Sequence, residues 1–221
     1  MTTATVDQPA GNKRFRKRTP VGDHAAGVVA GLQARLLRDR VDAEAVAALA
    51  RLRRAIGREP GADYSIERYV LVPEDLIDFI PKDGPGDAEY AVHDAVTLYA
   101  LHQQSQRQQM HRSGDGLGTA VSVLVSKSSG PEGVRRRFAA LGTAGTYQEV
   151  IYHLRNLITM LRAHEIPLDY GLLADDLLTL RKPYGASRVQ AAWGREFFRR
   201  RPTGESGTTS SITDNTEDDQ S

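Results

Sequence analysis

Residues 134–180 read VRRRFAALGTAGTYQEVIYHLRNLITMLRAHEIPLDYGLLADDLLTL, and the spacing of their apolar side chains decides the fold. Within 146–164, Val150, Leu154, Leu157 and Leu161 recur at steps of four, three and four, which gathers them on one stripe of an amphipathic helix. Upstream, Pro131 suits the first turn of a helix running to Leu141, with Val134, Phe138 and Leu141 inward. Downstream, Pro167 separates a helix over 169–181 that carries Leu173, Leu177 and Leu180. After Pro183 and Gly185, the positions of Val189, Trp193 and Phe197 define a last helix.

The helical period continues toward the start of the chain. Residues 22–39 place Val28, Leu32 and Leu36 on one face, and Asp42 caps a second helix that runs to Gly57, a natural stop. A long helix is expected over 87–109. Its Ala91, Ala95, Leu98 and His102 lie on one side, with Val92, Val96 and Tyr99 beside them. Apolar coverage that wide implies a central, buried helix. A short helix covers 118–127. Residues 58–86, broken by Pro60, Pro73, Pro81 and Pro85, leave room for one short helix in PEDLIDFI. SIERYVLV alternates loosely, but a lone strand has no partner, so it reads as coil or an extended connector. No period of 20–50 residues recurs, which excludes a repeat solenoid. The expected fold is all-α: two packed helical-bundle lobes, 21–115 and 116–201, divided near residues 113–117.

Composition bounds the function. The 221 residues suffice for a sizeable core, with 40% apolar and 26% charged side chains. The longest apolar run, residues 25–32, falls far below the ~20 residues that span a bilayer, so no membrane partner is expected. The first residues lack the apolar segment of a secretory signal. With no cysteine, disulfides, thiolate nucleophiles and cysteine-ligated zinc are excluded, which fits a cytoplasmic protein. The net charge of +1 conceals an asymmetry. Residues 1–18 carry Lys13, Arg14, Arg16, Lys17 and Arg18 against Asp7, whereas 202–221 carry Glu205, Asp214, Glu217, Asp218 and Asp219 with no Lys or Arg. Both segments nearly lack large apolar residues to offset the entropy of ordering, so 1–20 reads as a disordered basic arm and 202–221 as a disordered acidic tail.

No enzyme signature emerges. None of the six histidines lies four residues from another on a helix, and HExxH is absent. His102 reads as a core histidine. Gly114, Gly116 and Gly118 follow a helix instead of a strand and lack the spacing of a phosphate-binding loop, so they read as a flexible connection. Asp175 and Asp176 diverge by about 100° on a helix and read as a solvated face. No cofactor or metal is expected.

Basic faces carry the functional signal. Leu49, Leu52 and Ile56 form the buried stripe of the second helix, and Arg51, Arg54 and Arg58 repeat that spacing about 200° round the axis, with Arg53 flanking. No acid intervenes between Glu44 and Glu59. Guanidinium rows suit phosphate oxygens, which accept bidentate donors. An ordinary solvated face gives the same pattern. Arg135, Arg136 and Arg137 open their helix against its macrodipole, a placement that costs local stability. Arg155 and Arg162 form a further polar stripe, and Arg195, Arg199, Arg200 and Arg201 crowd the end of the last helix. Aromatic residues, 6% of the chain, do not interleave with these arginines in sequence, which favours backbone contact over base stacking.

Three phrases carry a family resemblance: ALARLRRAIG (48–57), LYALHQQS followed by MHRSGDGLGTAV, and the 134–180 block ending IPLDYGLLADDL. Together they resemble the small subunit (CasB family) of the type I-E CRISPR surveillance complex, Cascade. The resemblance implies two helical lobes and no nuclease activity. It implies two copies packed head to tail against the backbone subunits that hold the guide RNA, alongside the large subunit. It further implies contact with the target and displaced DNA strands that stabilises the R-loop. The family's basic positions fall on Arg54 with Arg53 beside it, on Arg136 or Arg137, and on Arg155. Two other readings stand beside this one: a scaffold that touches only proteins, and an unrecognised metal-dependent hydrolase.

Overall fold

Capping residues fix where the helices begin. The computed structural model describes residues 16–40, 42–78 and 81–199. Thr19 starts α1 (Pro20–Leu36), its hydroxyl accepting from the Gly22 N–H, with Pro20 in the first turn. Asp42 starts α2 (Ala43–Arg54) by accepting from the Glu44 and Ala45 N–H groups. After the one-turn α3 (Glu67–Val70) and a 3-10 turn at Glu74–Leu76 come α4 (Asp87–His102), α5 (Leu117–Lys127) and α6 (Pro131–Gly142). Thr146 and Glu149 form a reciprocal capping box at the head of α7 (Tyr147–Ala163). Asp169 caps α8 (Tyr170–Leu180), and α9 (Gly185–Arg199) closes the described chain.

The all-α expectation holds among the described residues, whose one β-type pairing is an isolated bridge between His111 and Leu168. α4 is the central helix: Ala91, Val92, Ala95, Val96, Leu98, Tyr99 and Ala100 are all fully buried. It packs against α8, α2, α7 and α1, while α5 packs against α9 and α6. The α7 stripe predicted from spacing, Val150, Leu154, Leu157 and Leu161, is buried throughout, each such side chain contributing about 1.5–3 kcal/mol. The turn at 113–117 falls where a division was expected, yet the apolar core is continuous across it. α8 packs against both α1 and α4, and one cluster runs from Val21 to Phe197.

Besides the ends of α1, which shift by two or three residues, three elements differ from the sequence reading for a local reason. The long helix stops at His102 instead of Gln109. There the Gln103 side chain turns back to donate to the carbonyls of Gln106 and Gln108, and Ser105 takes a positive φ of 60°. SIERYVLV forms the α3 turn instead of a coil or extended connector, because burying Tyr69 and Val70 against α4 outweighs its β-branched composition. α2 ends at Arg54, and the chain reverses through Gly57 at φ +74°, a conformation that favours glycine.

Candidate nucleic-acid interface

The carboxylates of α8 and the arginines that precede α1 form the first polar centre, and it corrects the sequence reading. Asp175 and Asp176, expected on a solvated face, are buried. Asp176 accepts from Arg16 at 2.7 Å and from the Trp193 indole N–H at 2.7 Å. Asp175 accepts from the Thr19 backbone N–H at 2.8 Å and from its hydroxyl. Arg18 donates to both oxygens of Asp169, at 2.9 and 2.7 Å, and Arg16 also lies 3.4 Å from Glu196 on α9. Burial pushes the Asp176 carboxyl up to about 7 against the opposing pull of Arg16, and burial likewise raises Asp175 and Glu196. Residues 16–19, read as part of a solvated basic arm, therefore strap α1 to α8 and α9. The rest of that arm and the whole acidic tail lie outside the described residues.

The glycine-rich segment is clamped, not flexible. The Gly114 N–H donates to Asp169 at 2.7 Å, and the Asp169 N–H donates to the Asp115 carbonyl at 2.8 Å. Gly118 brings α5 against α9 so closely that a Cβ there would overlap the Trp193 carbonyl oxygen and lie 2.7 Å from the Glu196 Cβ. This is a packing device, with no cradle for phosphate. His102 is a core histidine as expected. Its Nδ1 lies 2.9 Å from the Tyr170 hydroxyl, and burial lowers its pKa to about 3, so it is neutral at physiological pH. Among the described residues no three His, Asp or Glu side chains converge as a metal set, and no helix is long and apolar enough to cross a membrane.

The arginines of α2 contrast with Arg16 and Arg18. Leu49 and Leu52 are buried as the spacing required, and Ile56 packs against the core from the edge. Arg54 and Arg58 are exposed, whereas Arg51 and Arg53 are half-buried. None of the four brings a nitrogen within 4.0 Å of a carboxylate oxygen among the described residues. Arg58 departs from the expected helical row, since it lies beyond the end of α2 and past the Gly57 reversal. It nonetheless remains near Arg54, because both lower the Asp63 carboxyl, whose largest stabilising partner is Ser65. Burial depresses the Arg53 guanidinium, and the neighbouring charges of Arg162 and Arg54 depress it further. The charge on Arg162, at the end of α7, thus adds to that of Arg54 in disfavouring the Arg53 cation. Arg53 and Arg162 come from helices distant in sequence, so helical spacing gave no sign that their charges are felt by one another.

On α6, Arg135, Arg136 and Arg137 are all exposed. Arg135 lies 3.5 Å from Glu132, one turn earlier, which offsets part of the unfavourable macrodipole term. Arg137 folds back to donate to the Gly133 carbonyl at 3.0 Å, and Arg136 has no ion pair among the described residues. Arg155 on α7 is exposed and likewise unpaired. The stripe expected to join it to Arg162 is split. Arg162 is half-buried and donates to the Leu101 carbonyl and to Gln104 at 2.9 Å, capping the end of α4. Arg195 and Arg199 are exposed at the end of α9, and Arg200 and Arg201 lie outside the described residues.

A family model described as CRISPR-associated protein Cse2 matches residues 48–198, from the middle of α2 to the end of α9. The chain belongs to the Cse2 (CasB) family. The crystal structure of CasB from Thermobifida fusca is 42% identical, with a TM-score of 0.69 over 82% of this chain and 99% of that one. CasB from Thermus thermophilus is 27% identical, with a TM-score of 0.59 over 82% of this chain and 99% of its own. One chain of a CRISPR RNA-guided surveillance complex, 22% identical with a TM-score of 0.59, shares the fold. No curated protein matches. The Cse2 match takes in Arg51, Arg53, Arg54, Arg58, the α6 triplet and Arg155, and it leaves the Arg16–Arg18 strap outside.

Proposed function

We propose that this chain is the non-catalytic small subunit of a type I-E CRISPR Cascade ribonucleoprotein in the cytoplasm. It holds nucleic-acid backbone on surface arginines, and it thereby stabilises the guide RNA–target DNA R-loop and the displaced strand. The observation that carries this reading is the set of guanidiniums on and just after α2, Arg51, Arg53, Arg54 and Arg58, which have no ion pair among the described residues. Cations that no carboxylate pairs directly gain most from an external polyanion, and phosphate oxygens suit the guanidinium fork. Arg135, Arg136 and Arg137 on α6 and Arg155 on α7 extend the same chemistry to further faces.

The energetics suit a subunit without catalysis. R-loop formation nearly balances the duplex lost against the hybrid gained, so modest backbone contacts tip it. An arginine contributing on the order of 1 kcal/mol shifts occupancy severalfold. The partners that follow are the guide RNA, both DNA strands, the Cascade backbone and large subunits, and a second copy packed head to tail. Purification from native cells tests the reading. The expected result is co-elution with large backbone subunits and a short repeat-containing RNA. Recovery of the chain free of RNA and of such subunits would refute it.

A further inference from the structure

The aromatic residues read as apart from the arginines, yet Arg135 and Phe138 lie one turn apart on α6, and Phe197 and Phe198 of α9 face them across a cleft between the two helices. The cleft encloses about 340 Å³ and is lined by Phe138, Phe197 and Phe198, with Arg135 and Gln190 as its polar groups. The Phe138 and Phe197 rings stack with centroids 5.1 Å apart, and Phe198 meets Phe197 edge-on at 5.0 Å while remaining 78% exposed. The Arg135 guanidinium sits 5.8 Å from the Phe197 ring centre. An exposed phenyl group at the lip contributes little to the core.

Gly194, also in the lining, has no structural reason to be glycine. It lies inside α9, its φ is not positive, and a Cβ there would meet nothing within 4 Å. Glycine within a helix is destabilising relative to alanine. What it does here is keep the cleft open.

The rim charge selects the occupant. Arg135 is the charged residue of the lining, Arg136 follows it on the exposed side of α6 and Arg199 ends α9, while Glu132 on α6 and Glu196 on α9 are the acids of the two helices. A ligand that fits must combine negative charge with a flat, polarisable face. We propose that this cleft takes one unstacked base of a single-stranded polynucleotide, whose adjoining phosphates lie on Arg135 and Arg136. The Gln190 amide offers both a donor and an acceptor, so it can meet any base edge without choosing among them. Stacking on aromatic faces is tolerant of sequence, and paired bases in a duplex cannot enter. This site rests on the nucleic-acid reading above and adds a base contact to it.

The test uses the full chain and two short single strands of equal length, one intact and one abasic throughout. Trp193, the one tryptophan of the chain, lines the cleft and reports stacking through its emission. The intact strand should bind about tenfold more tightly than the abasic strand and quench Trp193. Gly194→Leu, which fills the cleft, and Phe198→Ala, at an exposed position, should each abolish that contrast and leave abasic affinity unchanged. Equal binding of the two strands by the unaltered protein overturns the base site and leaves backbone binding standing. Binding of neither strand overturns backbone binding, and this site with it. A contrast that survives both variants places the base elsewhere. If instead Phe198→Ala dissociates an oligomer while the contrast persists, the cleft belongs to a second copy and the proposal fails.

Discussion

Replacing Asp176 separates two roles that its buried carboxylate plays. In Asp176→Ala the Trp193 indole N–H loses its acceptor at 2.7 Å inside the core, and an orphaned buried donor costs about 1–3 kcal/mol. Arg16 loses its partner too, but it is partly exposed and keeps Glu196 within 3.4 Å, so that loss adds about 1 kcal/mol or less. The expected total is roughly 1–4 kcal/mol, and for a chain of this size each kcal/mol lowers Tm by about 2–4 °C. Asp176→Asn keeps an acceptor for Trp193 and resembles the protonated acid. It should therefore stay within about 1 kcal/mol of the unaltered protein. Thermal unfolding followed by circular dichroism at neutral pH reads both values. An alanine variant as stable as the parent would refute the role given to the indole bond. An asparagine variant as damaged as the alanine would show that the charge, not the acceptor, holds the strap.

The same residue sets a pH dependence. Its folded pKa of about 7 lies above the ~3.9 of an unfolded aspartate, so the contribution is fully present below about pH 4 and is lost as pH rises through 7. Tm should therefore fall between pH 6 and 8 by more in the parent than in Asp176→Asn, and parallel curves would contradict this. Gly118→Ala drives a Cβ into the Trp193 carbonyl oxygen and should cost about 1–3 kcal/mol in a urea titration, whereas an unchanged midpoint would mean that α5 and α9 separate freely. Asp169→Ala removes the cap of α8 together with the bonds from Arg18 and Gly114, and a loss of about 2–4 kcal/mol is expected. A loss below about 0.5 kcal/mol there would mean that solvent replaces the cap.

Helix content and order were legible because period and caps are local: Asp42, Thr146, Pro131 and the α7 stripe each act within a turn or two. Boundaries failed where distant side chains took over the backbone groups. Gln103 turning back at the end of α4, with Arg162 reaching across from α7, is one case. The exposed arginines of α2, α6 and α7 were legible from their offset to the apolar stripes. Asp175 and Asp176 were misread because adjacent aspartates on a helix look solvated until the Arg16–Thr19 strap covers them. The influence of Arg162 on Arg53, and the approach of Phe197 and Phe198 to Arg135, depend on helix packing and have no signal in the spacing of either helix.

The most direct measurement of the central claim is the salt dependence of single-stranded DNA binding by the parent and by an Arg51→Ala, Arg54→Ala, Arg58→Ala triple variant with its helicity intact. Each phosphate contact contributes about −0.7 to the slope of log K against log salt. Removal of three contacts should make binding weaker and the slope shallower by about 2. Identical affinity and slope in the two proteins would contradict the assignment of these arginines to the nucleic-acid backbone.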